Sequence, residues 1–289
     1  MRYYRTVGSI GPRLVARNPD RAYDLTSVHD ELRSVTDLLS AAKLTGEPLD
    51  DVVEPLTARA ETVPVDEVEA NATLPIAPDE VWAAGVTYEI SEQAREAESV
   101  LPEVYRNVFN HERPELFLKA TPSRTVGPSD SIGVREDSNW NVPEPELAVV
   151  LYHGEIVGYT IGNDVSSREI EGENPLYLPQ AKVYDRCCAI GPCFVSSTSI
   201  SDPHDLDLSM EIDRAGDTVF QGTTSTAEMV RTCEELVSYL RRSNVLPSVA
   251  VLLTGTSLVP PEEVSLEVDD TVRIELESIG TLENPVVSV

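Results

Sequence analysis

NWNVPEPELAVVLYHGEIVGYTIGNDVSSRE, from Asn139 to Glu169, contains two apolar runs, with acidic residues where the first begins and the second ends. Side chains of a β-strand alternate between its two faces, so Glu144 and Glu146 would share one face. Asp164 closes the second run, which we predict to be the next strand of a hairpin. The stretch therefore predicts two paired strands with three carboxylates at one end.

Three carboxylates at the end of a hairpin could hold a cation. Two ionised carboxylates side by side repel each other unless a positive charge lies between them. Mg²⁺ and Ca²⁺ take oxygen ligands at about 2.0 to 2.6 Å, and three carboxylates leave coordination positions for water and substrate. The alternative is an exposed strand start that merely carries acids. In a chain with 50 Asp and Glu residues, this alternative stays open for Glu144 and Glu146 alone.

The rest of the chain indicates a small N-terminal domain, residues 1–75, and a larger domain, residues 76–289. The small domain has a strand signal near its start and an amphipathic helix predicted over residues 24–44. Residues 61–80 are rich in proline and acids, so we predict a linker there.

The larger domain is predicted to be β-rich. From about residue 80 onward, short apolar runs alternate with Gly, Pro, Asn and Asp, which is typical of strands joined by turns. Helices are predicted over residues 91–100 and 225–244. Many strands with few helices indicate an α+β fold.

The net charge is −28, from 50 Asp plus Glu against 22 Lys plus Arg. Such a chain repels phosphate backbones and anionic lipid, so we expect neither nucleic acid nor a membrane as a partner. Its sequence has no apolar stretch near the roughly 18 residues of a membrane span, and the N-terminal segment lacks the apolar core of a signal peptide. We therefore expect a cytoplasmic location.

Lysine is scarce, since Lys43, Lys119 and Lys182 are the three lysines of the chain. Few lysines and many acids indicate adaptation to high salt, where the Debye length falls to about 3 Å at 1 M. The alternative is an ordinary acidic protein. Neither interpretation bears on the reaction.

Metal sites built from thiols or imidazoles are disfavoured. The four cysteines form no C-x-x-C pair, and the four histidines show no H-x-x-x-H pattern. The cysteines are expected to be small buried residues.

A series of motifs, in order along about 200 residues, resembles the fumarylacetoacetate hydrolase superfamily. The motifs are GVTY (85–88), PELFLKATPS (114–123), EPELAVV (144–150), Gly158 with Tyr159, GNDVSSRE (162–169), Lys182 with Asp185, GP (191–192), TSTAEM (224–229), LLTGT (252–256) and IGTLENPV (279–286). Any one motif alone would be weak, and together they are specific.

The resemblance implies a small N-terminal domain followed by a domain with a rolled β-sheet, in a homodimer or a higher homo-oligomer. It implies a Mg²⁺ or Mn²⁺ site built from Glu144, Glu146 and Asp164. It also gives weight to Lys182, because a buried amine can lose its proton beside a cation whereas a guanidinium effectively cannot. Lys182 is predicted to transfer a proton. For Lys119, a functional contact and a structural ion pair both stay open.

One motif departs from the hydrolytic members of the superfamily. These members usually carry a histidine three residues after the tyrosine of the G-x-N-Y stretch, where it activates the attacking water. The corresponding residue here is Ser91, which has no basicity near neutral pH. His111 would have to fold into the site to replace that histidine. Hydrolysis of a carbon–carbon bond is therefore disfavoured.

The segments GVTYEISEQAREAES (85–99), PELFLKA (114–120) and EGENPLYLPQAKVYDRC (171–187) resemble the 2-keto-3-deoxy-pentonate dehydratases of this superfamily. That resemblance implies that a 2-keto acid of the D-xylonate or D-arabinonate series loses water and gives 2,5-dioxopentanoate, in oxidative pentose degradation. The metal would stabilise the negative charge that develops as C3 loses a proton. No attacking water is needed, so the absence of the histidine is no obstacle.

This dehydration needs a base near C3 and an acid near the C4 hydroxyl. Lys182 is predicted to serve one of these proton transfers and Glu115 the other. Substrate contacts are predicted for Thr256, Ser91, Arg95 and Lys119.

Two alternatives stay open. Acylpyruvate hydrolysis or oxaloacetate decarboxylation would keep the superfamily but change the reaction, although Ser91 counts against the hydrolysis. A non-enzymatic metal-binding scaffold would not need Lys182, and in such a protein a change of Glu144 would alter only stability.

Overall fold

The predicted hairpin lies at the centre of a large sheet. In the computed structural model, which describes residues 1–8, 11–88 and 111–289, its strands are Pro145–Tyr152 and Glu155–Asp164, and they pair antiparallel. His153 and Gly154 connect them with φ angles of 50° and 80°. Positive φ at both connecting residues matches the right-handed twist of the strands that they join.

The described part of the chain contains nineteen strands and six α-helices. The strands β1–β19 are Arg2–Gly8, Gly11–Arg17, Ala22–Asp24, Glu61–Val63, Ala72–Thr73, Glu80–Gly85, Glu115–Ala120, Thr125–Val126, Ile132–Val134, Asn141–Val142, Pro145–Tyr152, Glu155–Asp164, Ser166–Ser167, Cys188–Ser196, Asp207–Arg214, Asp217–Ser225, Val249–Leu253, Thr271–Leu276 and Gly280–Ser288. The helices α1–α6 are Val35–Thr45, Leu49–Thr57, Val65–Ala70, Arg168–Glu173, Leu178–Lys182 and Cys233–Arg241. None of these helices is long and apolar enough to cross a bilayer.

The strands form one large and one small sheet, with β10 and β13 paired separately. The large sheet has the order β4-β3-β2-β1-β14-β12-β11-β17-β6-β7, with β5 beside β1 and β8 beside β14. The small sheet has the order β16-β15-β18-β19-β9. This arrangement confirms the predicted β-rich α+β fold.

The long apolar runs of the hairpin are explained by burial on both faces of the large sheet. Leu147 and Val149 of β11 belong to a core cluster that includes the inward side chains of the small sheet. Ala148 and Val150 point the other way, into a second cluster formed with α1 and α2. Because neighbouring residues of a strand face opposite sides, a strand covered on both sides must be apolar at every position.

The N-terminal strands extend the large sheet. β1 pairs with β14, where Tyr3 lies opposite Phe194, and β5 pairs with β1. The linker predicted over residues 61–80 is wrong, because this segment contains β4, α3 and β5, whose strands find partners in β3 and β1. A division between residues 75 and 76 stays a prediction.

Two predicted helices are shorter than expected. α1 begins only after Ser34, whose hydroxyl accepts from the backbone N–H of Asp37 in a capping box, whereas Asp24 caps a separate 3₁₀ turn. α6 begins after Thr232, which accepts from the N–H of Glu235. Both segments hold several residues that can cap a helix, and their spacing alone did not show which cap starts it. The helix predicted over residues 91–100 lies outside the described residues.

Candidate metal and active site

Three buried carboxylates converge at the end of the hairpin. Glu144, Glu146 and Asp164 each offer an oxygen, and these oxygens lie within 4.8 Å of one another. The register sets this convergence, because Glu146 lies opposite Gly162 and the N–H of Asp164 donates to the carbonyl of Glu144 at 2.9 Å. The side chain of Asn163 adds a further brace, since its Oδ1 accepts from the N–H of Glu144 at 3.1 Å.

The amine of Lys182 lies among these carboxylates. It donates to Glu144 Oε2, to Asp164 Oδ2 at 3.2 Å and to Ser166 Oγ at 2.6 Å. Lys182 is the last residue of α5 and is buried, with its nitrogen 5.7 Å from the centre of the Phe117 ring. A primary amine therefore faces two of the three convergent acids in a site shielded from bulk water.

A second buried lysine lies behind the carboxylates. Lys119 Nζ is 2.7 Å from Asp164 Oδ1 and donates to the backbone carbonyls of Val165, at 2.8 Å, and Lys182. Burial on its own would lower the pKa of Lys119, but the charge of Asp164 and its hydrogen bond, together with the neighbouring thiols, raise the pKa. Lys119 is thus held as a cation inside the protein.

Arg168 holds the first carboxylate from the opposite side. Its guanidinium donates to Glu144 Oε1 at 2.8 Å and to Glu171 Oε2 at 3.0 Å, and all three side chains are buried. Arg168 is the first residue of α4, and this position brings its side chain to Glu144 at the start of β11.

Glu146 lacks a contact with a cation among the described residues. Its Oε2 accepts from the backbone N–H of Gly255. Burial, followed by the charges of Asp164 and Glu144, raises the pKa of Glu146 well above its usual value. A divalent cation at this position would offset the repulsion between Glu146 and the other two carboxylates.

The excess of acidic groups among the described residues of the site also favours a bound cation. Within the described chain, the site contains four buried carboxylates and three buried cations, namely Glu144, Glu146, Asp164 and Glu171 against Lys119, Arg168 and Lys182. An unpaired buried charge is costly. Oxygen donors from carboxylates are the ligands that Mg²⁺ and Mn²⁺ prefer. The residues present therefore fit the predicted Mg²⁺ or Mn²⁺ site.

Gly255 is required by its positive φ and by the close approach of Thr87 and Ala84. Its φ is 86°, and an added Cβ would lie 2.1 Å from Thr87 Oγ1 and 3.0 Å from the carbonyl oxygen of Ala84. Thr87 Oγ1 donates to the carbonyl of Thr254 at 2.6 Å and so fixes the neighbouring peptide. The N–H that orients Glu146 therefore depends on the absence of a side chain at residue 255.

Gly255→Ala is expected to lower the free energy of unfolding by more than the roughly 1 to 3 kcal/mol of backbone strain alone. Gly216→Ala is the matched control, because Gly216 has a φ of 91° and an added Cβ there meets no atom within 4 Å. Urea unfolding of both variants gives the comparison. Equal losses in the two variants would show that the crowding at Thr87 has no effect.

Of the remaining predicted site residues, the structure describes two. Thr256 is buried and directly follows Gly255, whose N–H donates to Glu146, and its Oγ1 accepts from the N–H of Leu258 at 3.1 Å. Glu115 begins β7 and lies over Gly85, with which it is paired in the sheet. Ser91 and Arg95 lie outside the described residues.

Three contributors to the site were not assigned by the sequence reasoning. Ser166 donates to Glu144 Oε2 at 3.1 Å and accepts from Lys182, Gly255 orients Glu146, and Glu171 balances Arg168. All three lie inside motifs or segments already singled out. The partners of Ser166 and Gly255 come from distant parts of the chain, so spacing could not reveal those contacts. Glu171 pairs with Arg168 three residues earlier, a spacing that places two side chains together on a helix.

The comparison with protein families identifies this constellation. Residues 80–287 match the family model described as fumarylacetoacetate (FAA) hydrolase, C-terminal. The chain belongs to the fumarylacetoacetate hydrolase family. The match begins at the first residue of β6 and includes the three carboxylates, both buried lysines and Gly255 of this fumarylacetoacetate hydrolase family member.

Two curated relatives of this family member are dehydratases by name. A Haloferax volcanii protein named as a probable 2-keto-3-deoxyxylonate dehydratase is 55% identical over 289 residues, which covers 100% of both chains. A 2-dehydro-3-deoxy-D-arabinonate dehydratase of Saccharolobus solfataricus is 47% identical over 223 residues, which covers 75% of each.

A solved structure gives the same result for the fold. A 2-keto-3-deoxy-D-arabinonate dehydratase complexed with magnesium and 2,5-dioxopentanoate superposes with a TM-score of 0.85 at 36% identity, covering 100% of this chain and 99% of the other. The predicted resemblance to the dehydratase branch of the fumarylacetoacetate hydrolase family is confirmed.

Proposed function

We propose that this protein is a hydro-lyase that removes water from 2-keto-3-deoxy-pentonate, of the D-xylonate or D-arabinonate series, and yields 2,5-dioxopentanoate with Mg²⁺ or Mn²⁺ as cofactor. The observation that carries the proposal is the buried cluster of Glu144, Glu146 and Asp164 with the amine of Lys182 beside it. The names of the two relatives, and the magnesium and product in the related structure, support the same reaction.

The three carboxylates are proposed to hold the metal, and their environment suits that role. Glu144 is fixed by Arg168 and Asp164 by Lys119, so two of the ligands are oriented before a cation arrives. When bound, the metal supplies Lewis-acid stabilisation of the negative charge that develops on the keto acid. Glu146, whose negative charge is the least compensated among the described contacts, gains the most from the cation.

Lys182 is proposed to move a proton at C3 or at the leaving C4 hydroxyl. Its nitrogen lies beside two of the three proposed ligands, so it would lie next to a keto acid that the metal holds. Ser166 and the two carboxylates fix this nitrogen in place. A positioned group of this kind accelerates proton transfer by about 10² to 10⁴-fold.

Glu115 is proposed as the partner of Lys182 in proton transfer. Along β7, side chains two residues apart share a face, so Glu115 lies on the face of Phe117, whose ring is near Lys182 Nζ. Its carboxylate is half-buried over Gly85. Thr256 is proposed to bind a substrate oxygen next to Glu146. For Ser91 and Arg95 we propose the substrate contacts that the sequence predicts.

Turnover of synthetic 2-keto-3-deoxy-D-xylonate and its D-arabinonate epimer tests the proposal. We expect an aldehyde product with at least one epimer in Mg²⁺, loss of activity in EDTA, and recovery when Mg²⁺ or Mn²⁺ is added back. Formation of pyruvate from acylpyruvate or oxaloacetate, with no aldehyde from either pentonate, would contradict the dehydratase. Equal turnover in EDTA and Mg²⁺ would contradict the metal.

The wider setting of the enzyme is also a proposal. The excess of acids and the scarcity of lysine support a protein adapted to high salt, so assays belong in concentrated KCl as well as in dilute buffer. A homodimer or higher homo-oligomer, a cytoplasmic location and a division into residues 1–75 and 76–289 are further proposals from the sequence. Light scattering at several salt concentrations tests the oligomeric state.

A further inference from the structure

We propose that Lys119 is a positioning residue, which fixes Asp164 and the backbone of Lys182 relative to each other and does not bind substrate. This inference rests on the proposed function and replaces the substrate contact predicted for Lys119 with a different role. It is carried by three contacts of one buried ammonium group.

The ammonium group of Lys119 has no donor left for a substrate. It carries three N–H donors. Its three acceptors are Asp164 Oδ1 at 2.7 Å and the carbonyls of Val165, at 2.8 Å, and Lys182. The side chain is 0% exposed, and the Tyr184 ring lies 5.6 Å from its nitrogen. A ligand could bind Lys119 only by displacing a contact with the protein.

The three acceptors belong to different parts of the site. Asp164 ends β12 and is a proposed metal ligand, whereas the Lys182 carbonyl is at the C-terminus of α5, the helix that carries the proposed proton-transferring amine. A cation at a helix C-terminus is favourable, because the last carbonyls have no partner within the helix. Lys119 therefore links the metal side of the site to the proton-transfer side.

A β-bulge directs Lys119 into this position. In the pairing of β6 with β7, Trp82 lies opposite Leu118 and Val81 lies opposite Ala120. Lys119 is therefore the extra residue of β7, with no residue of β6 opposite it. An extra residue in a strand disturbs the alternation and can redirect a side chain. Leu118 is exposed, and Lys119 and Ala120 are both buried. The strand thus places an extra inward side chain at the back of the site.

Lys119→Met replaces the lysine by an uncharged side chain of similar length, and it is expected to change both thermal stability and turnover. In EDTA the variant should unfold about 6 to 10 °C below the wild type, because Asp164 loses a buried cation. Mg²⁺ should raise the unfolding temperature of the variant more than that of the wild type, because no ammonium next to Asp164 repels the incoming cation. In turnover, kcat should fall at least about tenfold while KM changes less than threefold, since Lys182 is displaced.

The same measurements separate the alternatives. A mere packing role would lower the unfolding temperature equally with and without Mg²⁺, and a substrate contact would raise KM at unchanged kcat. Either result would overturn the proposal. Lys43→Met, at an exposed lysine of α1, is the matched control and should leave all of these quantities close to the wild type.

A double-mutant cycle in EDTA tests the positioning role even if the metal proposal fails. Lys119→Met should destabilise the Asp164→Asn protein much less than it destabilises the wild type, because the partner charge is already absent. An equal loss in both backgrounds would overturn the link between Lys119 and Asp164. Absence of any Mg²⁺ effect on the wild type would instead count against the proposed cofactor, and the cycle would still decide on Lys119.

Discussion

Lys182→Met is expected to lower kcat by at least about 10³-fold, near the upper part of the range for general acid–base catalysis. The substitution removes the amine between Glu144 and Asp164 and keeps a side chain of similar length in a fully enclosed position. Binding of Mg²⁺ should survive or strengthen, because a positive charge beside two proposed ligands is lost. Turnover assays and calorimetric titration with Mg²⁺ provide the two measurements.

The combination of results decides what Lys182 does. Loss of turnover with retained Mg²⁺ binding assigns the amine to the reaction. Loss of both, together with an altered circular dichroism spectrum, would indicate that the amine mainly holds the site together. Activity within about tenfold of the wild type would contradict proton transfer by Lys182. Lys43→Met again serves as the control.

Glu146→Gln is expected to lower activity by at least about 10²-fold and to abolish stabilisation by Mg²⁺. The amide keeps the shape, and its oxygen can still accept from the N–H of Gly255. In EDTA, however, the variant should be more stable than the wild type, because a buried carboxylate between two like charges is replaced by a neutral group. Few substitutions at a metal ligand are expected to raise stability while removing function.

The pH dependence of unfolding in EDTA tests the raised pKa of Glu146. Since its pKa is raised in the folded protein, the folded state binds more protons than the unfolded state above the unfolded pKa of about 4.3. This group therefore makes the wild type less stable as pH rises from that value toward the raised pKa. The stability of Glu146→Gln should therefore fall less than that of the wild type over this pH range. Parallel pH profiles for the two proteins would contradict the raised pKa.

The hairpin could be predicted because adjacent residues in the sequence determine both its pairing and its burial. Two adjacent apolar runs joined by His153 and Gly154 form a hairpin, and its register brings the three acids to one end. The family motifs added Lys182 to this cluster, and the structure brings its amine there.

The role of Lys119 could not be predicted in the same way. Its direction depends on a bulge against β6, and its acceptors come from residues more than 40 positions along the chain. The contact between Arg168 and Glu144 also needs the three-dimensional path of α4, because the two residues are 24 positions apart in the chain. Short strands and caps were missed for a related reason, because β4 and β5 are stabilised by partners that local composition does not disclose.

The most direct test of the central claim is anomalous diffraction from crystals grown with Mn²⁺. We predict one strong peak within about 2.0 to 2.6 Å of an oxygen from each of Glu144, Glu146 and Asp164, and its loss in crystals of Glu146→Gln. A protein that turns over its substrate with no peak between these three carboxylates, or with the peak at other ligands, would contradict the proposed metal site and the mechanism built on it.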